Sequence, residues 1–266
     1  MSRALRGAVK ISSLLPCLAV ALFGAIDGAG AAELTESIKL IKQSTVAIGT
    51  YQPLRRPPAQ LLGTGFVVAD GRHVVTSAHV LPEALQETPK EELAVFIRRG
   101  GTEVEFRAVS VVAQDRAHDV AILKLPGAPL PPLRLGDDAQ VEEGQEIAFT
   151  GFPIGTVLGL HASTSRGIVA AITPISLPQI SPQLLDPKMI KQLREGFTVF
   201  QLDATAFPGN SGSPLYDTRN AAVYGIINSV FVKDTKERVL QDPSGITYAT
   251  PIRYAKALMA SIGLNN

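Results

Sequence analysis

Cysteine is nearly missing from this chain: among 266 residues the only one is Cys17. No disulfide framework can form within one molecule. Charge of one sign is missing too. The 25 basic and 24 acidic residues leave a formal net charge of +1, which offers no electrostatic footprint for a nucleic-acid partner. Gly and Pro number 23 and 19, enough for many turns but too few for a low-complexity chain. The four histidines, His73, His79, His118 and His161, include no H-E-x-x-H or similar ligand spacing, so the sequence predicts no metal and no cofactor. What the chain does have is 45% apolar against 18% charged residues, enough to bury a sizeable core and to exclude wholesale disorder. The length allows one ordinary domain or two fused halves.

Residues 1–32 read as an export signal. Arg3, Arg6 and Lys10 form a basic start, ISSLLPCLAVALFGAI (11–26) is an apolar run, and the small residues GAGAA (28–32) follow. Cleavage is predicted after Ala31 or Ala32. The run is short for a membrane anchor, since spans need about 18 or more apolar residues. Removing Arg3, Arg6, Lys10 and Asp27 leaves 22 basic and 23 acidic residues and no cysteine. The expected mature protein, 33–266, is periplasmic or secreted and relies on its core for stability.

After a short helix predicted over LTESIKLIK (34–42), with Thr35 as a cap, the chain reads as short β-rich runs punctuated by turns. The runs are 45–51, 63–70, 73–80, 93–99, 104–114, 119–125, 145–152, 167–173, 198–205, 221–232 and 246–250. Asp70-Gly71 and Gly100-Gly101 mark hairpins. A helix over YAKALMASIG (254–263) closes the chain. This spacing predicts an all-β barrel or sandwich. The Pro-rich stretch 127–138 reads as a linker between two halves. One segment breaks the pattern: 174–196 is a long connection with its own helix signal, Asp186 as N-cap and Pro187 at the first helical position. Such connections are often functional and as often decorative.

Three stretches carry chemistry. In PGNSGSPL (208–215), glycines on either side of Ser211 let the main chain turn so that the N–H groups of Gly209 and Ser211, with Asn210, point at one spot. That is what an oxyanion needs. Serine requires a base to become a nucleophile. In TSAHV (76–80), His79 can serve, because imidazole exchanges protons near neutral pH. In HDVAILKL (118–125), Asp119 opens an apolar strand and can hold that imidazole in one tautomer. His118 is set aside as facing the opposite way. Taken singly, each residue is more often structural. Their joint occurrence, in the order His, Asp, Ser, favours a catalytic triad.

With these motifs, together with GTGF, GFPIG (151–155), GIVAAI and QLDATAFPGNSGSPL, the chain resembles the trypsin-like serine peptidases over roughly residues 34–260, and among them the bacterial HtrA/Deg protease domain most. The resemblance implies two six-stranded antiparallel β-barrels, about 44–126 and 139–250, joined by the 127–138 linker and followed by a C-terminal helix over 252–263, with the site in the cleft between them. It implies a serine endopeptidase acting on exported or misfolded proteins through an acyl-enzyme, with protein or peptide substrates. It implies a possible homo-oligomer, a trimer by family habit. It also implies a substrate pocket built from Thr205, Ile227, Asn228, Ser229, Ile246 and Tyr248. Thr205 is uncharged, which argues against cleavage after Lys or Arg and for a small or medium apolar side chain. The chain departs from the family in having Ser213 for a second glycine, and in leaving little sequence after the closing helix for a PDZ domain. Asn210 and the lack of an Ile-Val-Gly-Gly site argue against activation by zymogen cleavage. Two rivals stand beside this reading. An α/β-hydrolase would need G-x-S-x-G and the reverse order of acid and histidine. A catalytically weak or inactive binding or chaperone module would keep the fold without the turnover.

Overall fold

The computed structural model describes residues 26–82, 91–100, 103–153, 160–174, 197–228 and 246–265. The chain begins with helix α1 (Ile26–Ser44) and continues through β1 (Thr45–Tyr51), β2 (Ala59–Val68), β3 (His73–Thr76), β4 (Glu92–Gly100), β5 (Glu103–Ala108), β6 (Ser110–Asp115) and β7 (Val120–Lys124). The second half holds β8 (Glu146–Gly151), β9 (Ser163–Pro174), β10 (Thr198–Asp203), β11 (Pro214–Asp217), β12 (Val223–Asn228), β13 (Ile246–Pro251) and helix α2 (Ile252–Ser261). The residues of the presumed signal up to 25, the insertion 175–196 and Ser229 lie outside the described residues.

The molecule is mostly β, as expected, and the strand pairs among the described residues are all antiparallel. The second half is a closed barrel in the order β10-β13-β12-β11-β8-β9. The first half is a seven-stranded sheet in the order β5-β4-β1-β2-β3-β7-β6, one strand more than the six expected. Its edge strands β5 and β6 come from the single run expected over 104–114. They part at Val109, whose N–H turns to Leu93 O at 2.9 Å. One end of that run therefore pairs with β4 and the other with β7.

Helix α1 is longer than the helix expected over 34–42. Gly28–Ala32, read as a cleavage region, is rich in alanine, a strong helix former, and has no proline to stop the turns. Thr35 is consequently an interior residue and not a cap.

Strand sequences such as FVV (66–68) and VAIL (120–123) are apolar at every position because both faces of the strand are buried, each in a different core. Val67, Val74 and Leu123 point into the interior of the first sheet with Val46, Ile48 and Val95. Their neighbours Phe66, Val68, Val75 and Ile122 point outward into a second cluster. In the barrel, Ile147, Phe149, Leu215 and Ile227 fill the interior. Their neighbours Ala148, Tyr216 and Ile226 join that same second cluster. The two halves are thus glued along β2-β3-β7 and β8-β11-β12, with Ile252, Ala255 and Met259 of α2 sealing the seam. The 127–138 stretch is clamped to both halves: Leu133 N–H reaches Val67 O at 2.9 Å, and Gly136 N–H reaches Val223 O at 2.8 Å. Asp138 accepts from Arg253 N–H at 3.0 Å and meets the Arg253 guanidinium. The cleft between the halves is therefore fixed by packing at its floor.

Candidate functional site

His79 sits in a single 3₁₀ turn, Ala78–Val80, that ends β3. Ala78 and Val80 are buried and anchor the turn, which leaves the imidazole at the surface of the cleft. The turn is tied to the other half, because Ser77 Oγ donates to Ile227 O at 3.2 Å. Asp119 lies in the turn just before β7 and has φ 56°. This left-handed conformation is unusual for a residue with a Cβ and is tolerated best by Asn and Asp. It lets one residue serve the His79 turn twice: the Asp119 carbonyl accepts from Ala78 N–H at 3.1 Å while its carboxylate faces the ring.

Three donors hold the carboxylate. Oδ1 accepts from His79 N–H at 2.8 Å, and Oδ2 pairs with His79 Nδ1 at 2.7 Å and accepts from Asn228 Nδ2 at 2.6 Å. A carboxylate on Nδ1 keeps the proton there, so Nε2 is left as the acceptor that can take a proton from a nucleophile. His118, by contrast, turns away because Asp119 reverses the backbone direction, and both residues precede the strand instead of alternating along it. Its ring stacks on Tyr254 with centroids 4.0 Å apart and meets the edge of Phe197 at 5.0 Å.

The Ser211 loop is built on two left-handed glycines, Gly209 (φ 99°) and Gly212 (φ 86°). A Cβ on Gly212 would lie 2.0 Å from Thr64 O and 2.4 Å from Thr76 Oγ1, so only glycine fits. Asn210 N–H bonds Phe207 O at 2.9 Å and Ser213 N–H bonds Asn210 O at 3.0 Å, closing a tight turn around Ser211. Gly212 N–H then donates to Ile227 O at 2.8 Å, the same carbonyl that holds Ser77. The Gly209 N–H has no hydrogen-bond partner among the described residues.

Thr64, inside the GTGF motif, was not singled out by sequence reasoning, yet it joins the two halves at this point. Its N–H donates to Ser211 O at 2.8 Å, its hydroxyl donates to Gly209 O at 2.7 Å and accepts from Phe152 N–H at 3.0 Å, and its carbonyl accepts from Thr76 Oγ1 at 2.7 Å. The flanking glycines were the available signal. A Cβ on Gly63 would meet both the Val80 side chain, at 2.7 Å, and Ser211 O, at 2.9 Å, which measures how closely the His79 turn and the Ser211 loop approach.

Ser213, the departure from the family pattern, fits because Gly151 has no side chain: a Cβ there would lie 2.0 Å from Ser213 Oγ. Ser213 Oγ and Asn210 Oδ1 are buried beside Gly151 and have no hydrogen-bond partner among the described residues.

The residues expected to line a substrate pocket divide. Ile227 is fully buried and its side chain packs inside the barrel with Phe149 and Leu202, so it forms no pocket wall; the alternation of β12 sends it inward. Asn228 turns its amide to Asp119, so that group serves the His–Asp pair. Ile246, 44% exposed, and Tyr248 lie on β13 opposite Asp203 and Gln201 of β10. Thr205 follows β10 directly, and Ala206 N–H bonds Thr247 Oγ1 at 3.0 Å.

The chain is similar to known serine endoproteases in sequence and in fold. A protein named probable periplasmic serine endoprotease DegP-like from Halomonas elongata is 31% identical over 195 residues, 73% of this chain and 33% of the relative. One of the same name from Pseudomonas fluorescens is 30% identical over 202 residues, 76% of this chain and 35% of the relative. The chain thus spans about a third of the length of these curated relatives. A solved serine endoprotease from Yersinia pestis shares the fold with a TM-score of 0.61 at 21% identity, covering 86% of this chain and 66% of that one. The HtrA-type protease AlgW with a tripeptide shares it with a TM-score of 0.58 at 21% identity, over 86% and 63%. The family of the trypsin-like peptidase domain matches residues 63–226, a span that contains His79, Asp119 and Ser211, and the chain belongs to that family.

Proposed function

We propose that this protein is a serine endopeptidase in which Ser211 is the nucleophile, His79 the general base and acid, and Asp119 the residue that orients the base. The observation that carries the reading is the His79–Asp119 pair, whose carboxylate is held by three donors while Nε2 stays available beside the Ser211 loop. In acylation, Ser211 Oγ bonds to the scissile carbonyl carbon as its proton passes to His79 Nε2. The carbonyl oxygen, now an oxyanion, is received by the N–H groups of Gly209 and Ser211, with Asn210 beside them. Collapse breaks the C–N bond, and the amine leaves with the proton from His79. Water then repeats the sequence on the acyl-enzyme and frees Ser211.

In this reading the seven-stranded sheet is the first barrel, closed through the continuous 103–115 run, which supports the division into 44–126, 139–250 and a closing helix. Residues 1–32 direct export, and the periplasmic names of the relatives support the same destination. Thr205, Ile246 and Tyr248 border the pocket for the residue before the scissile bond, which takes small or medium apolar side chains.

Fluorophosphonate labelling, read together with cleavage of a denatured protein substrate, tests the proposal. Labelling and cleavage by the wild type, both lost in Ser211→Ala, are the expected results. Absence of both in the wild type, with binding of unfolded protein retained, would assign the chain to the chaperone class instead.

A further inference from the structure

A small cleft of about 280 Å³ opens beside the His–Asp pair, lined by Ala78, His79, Leu81, Gln114, Arg116 and Asp119. It is below the usual range for drug-sized ligands and suits a single side chain. Its chemistry is lopsided. Both oxygens of Asp119 are occupied by His79 and Asn228. The adjacent Asp115 is spent on His118 Nδ1 at 2.6 Å and on the N–H groups of Ala117 and His118. Arg116 is exposed and has no hydrogen bond or ion pair among the described residues.

That state sets Arg116 apart from the other arginines with described side chains. Arg55, Arg107, Arg166, Arg219 and Arg253 each meet a carboxylate. Arg56, Arg72, Arg98 and Arg134 each meet a main-chain carbonyl. An arginine fork with all donors unspent, at the mouth of a cleft shared with the base, matches the geometry of a carboxylate. Leu81 supplies an apolar wall for the methylene stem of such a side chain, and Gln114 supplies a second polar group at the rim.

We propose that Arg116, with Gln114 and Leu81, forms a subsite for an acidic substrate side chain next to the scissile bond, so that the protein selects Glu or Asp there. The selection rests on the serine-peptidase reading for its catalytic consequence but not for binding. Because the subsite touches His79 itself, the acidic residue lies within about two positions of the bond cut, given a rise of roughly 3.3 Å per extended residue.

The test uses matched peptide pairs with Glu or Gln at each position from two before to two after the cleaved bond. Affinity is measured on Ser211→Ala and kcat/KM on the active chain. The Glu peptide is expected to bind about three- to tenfold tighter at one position, the range for a partly exposed charge-assisted pair. Arg116→Gln on the same backgrounds should erase the ratio, and Arg116→Glu should invert it in favour of Lys. The preference should shrink as salt rises. Ratios below about twofold at every position would overturn the subsite, as would a ratio that survives in Arg116→Gln. Failure of turnover and of fluorophosphonate labelling, with the binding ratio intact, would instead overturn the peptidase reading and leave the acid-selecting cleft standing.

Discussion

The pairs His79–Asp119 and His118–Asp115 consist of the same two side chains joined through the same atoms, Nδ1 to Oδ2, at 2.7 and 2.6 Å. Their histidines are also equally exposed, at 27% and 30% of the side chain. Neither bond length nor exposure separates them. What separates them is where the partner comes from. Asp115 is three residues from His118 in one local turn, whereas Asp119 is 40 residues from His79 and reaches it from the turn before β7. The third contact differs as well: an amide from the barrel, Asn228, against the rings of Tyr254 and Phe197. A third pair, His73–Asp70 at 2.8 Å, is local like the second. Of the three, His79–Asp119 is the pair that joins residues distant in sequence and receives an amide from the other half.

That contrast can be broken by mutation. His79→Ala and Asp119→Asn are expected to lower kcat by about 10⁴ or more in a peptide-cleavage assay, because the nucleophile loses its base or the base loses its tautomer. Asp115→Asn and His118→Ala should stay within about threefold of wild type in the same assay, since a local structural pair makes no contact with the reacting atoms. Equal losses on both sides would end the distinction.

Asn228→Ala is expected to fall between these, with kcat reduced by roughly 10- to 100-fold, in line with about 1.5–3 kcal/mol for a hydrogen bond to a charged group. Little change in melting temperature should accompany it. A loss in stability without a loss in kcat would place Asn228 among the merely structural residues.

His118→Ala should instead show its effect in thermal unfolding. Removing a stacked ring and an edge contact costs about 1–3 kcal/mol, at 0.5–1.5 kcal/mol for each aromatic pair. Double-mutant cycles with Tyr254→Ala would isolate that coupling.

The smallest effect concerns acid stability and a carboxylate in neither pair. Burial would raise the pKa of Asp217, but the Arg219 side chain and N–H and the Gln145 amide outweigh it and hold the carboxyl below its ordinary value. A depressed folded-state pKa stabilises above the unfolded value, and the benefit is lost as pH falls through the folded one. Asp217→Asn should therefore be destabilised at neutral pH by about 1–2 kcal/mol, with the gap closing below about pH 4 in urea titrations.

The seven-stranded sheet of the first half holds a feature that no sequence pattern marks. The run over 104–114 reads as one strand because its residues are uniformly strand-forming. Its split at Val109 follows from β4 and β7, which claim its two ends. Likewise Ser213 looks like a defect until Gly151, 62 positions away, is seen to leave it room. Ile227 and Asn228 looked like one wall. The pleat sends the first into the barrel and the second to Asp119.

By itself the sequence determined the things that depend on near neighbours. Apolar runs marked the strands, glycines at 209 and 212 marked a loop that must turn through left-handed backbone, and three short motifs appeared in an order that few folds use. Only the tertiary structure decided which carboxylate serves which imidazole, what holds that carboxylate, and that Arg116 stands beside His79 with no partner among the described residues. These depend on hydrogen bonds and packing between residues tens to more than a hundred positions apart. No local preference encodes such contacts, because they exist only once strands distant in sequence have paired and packed.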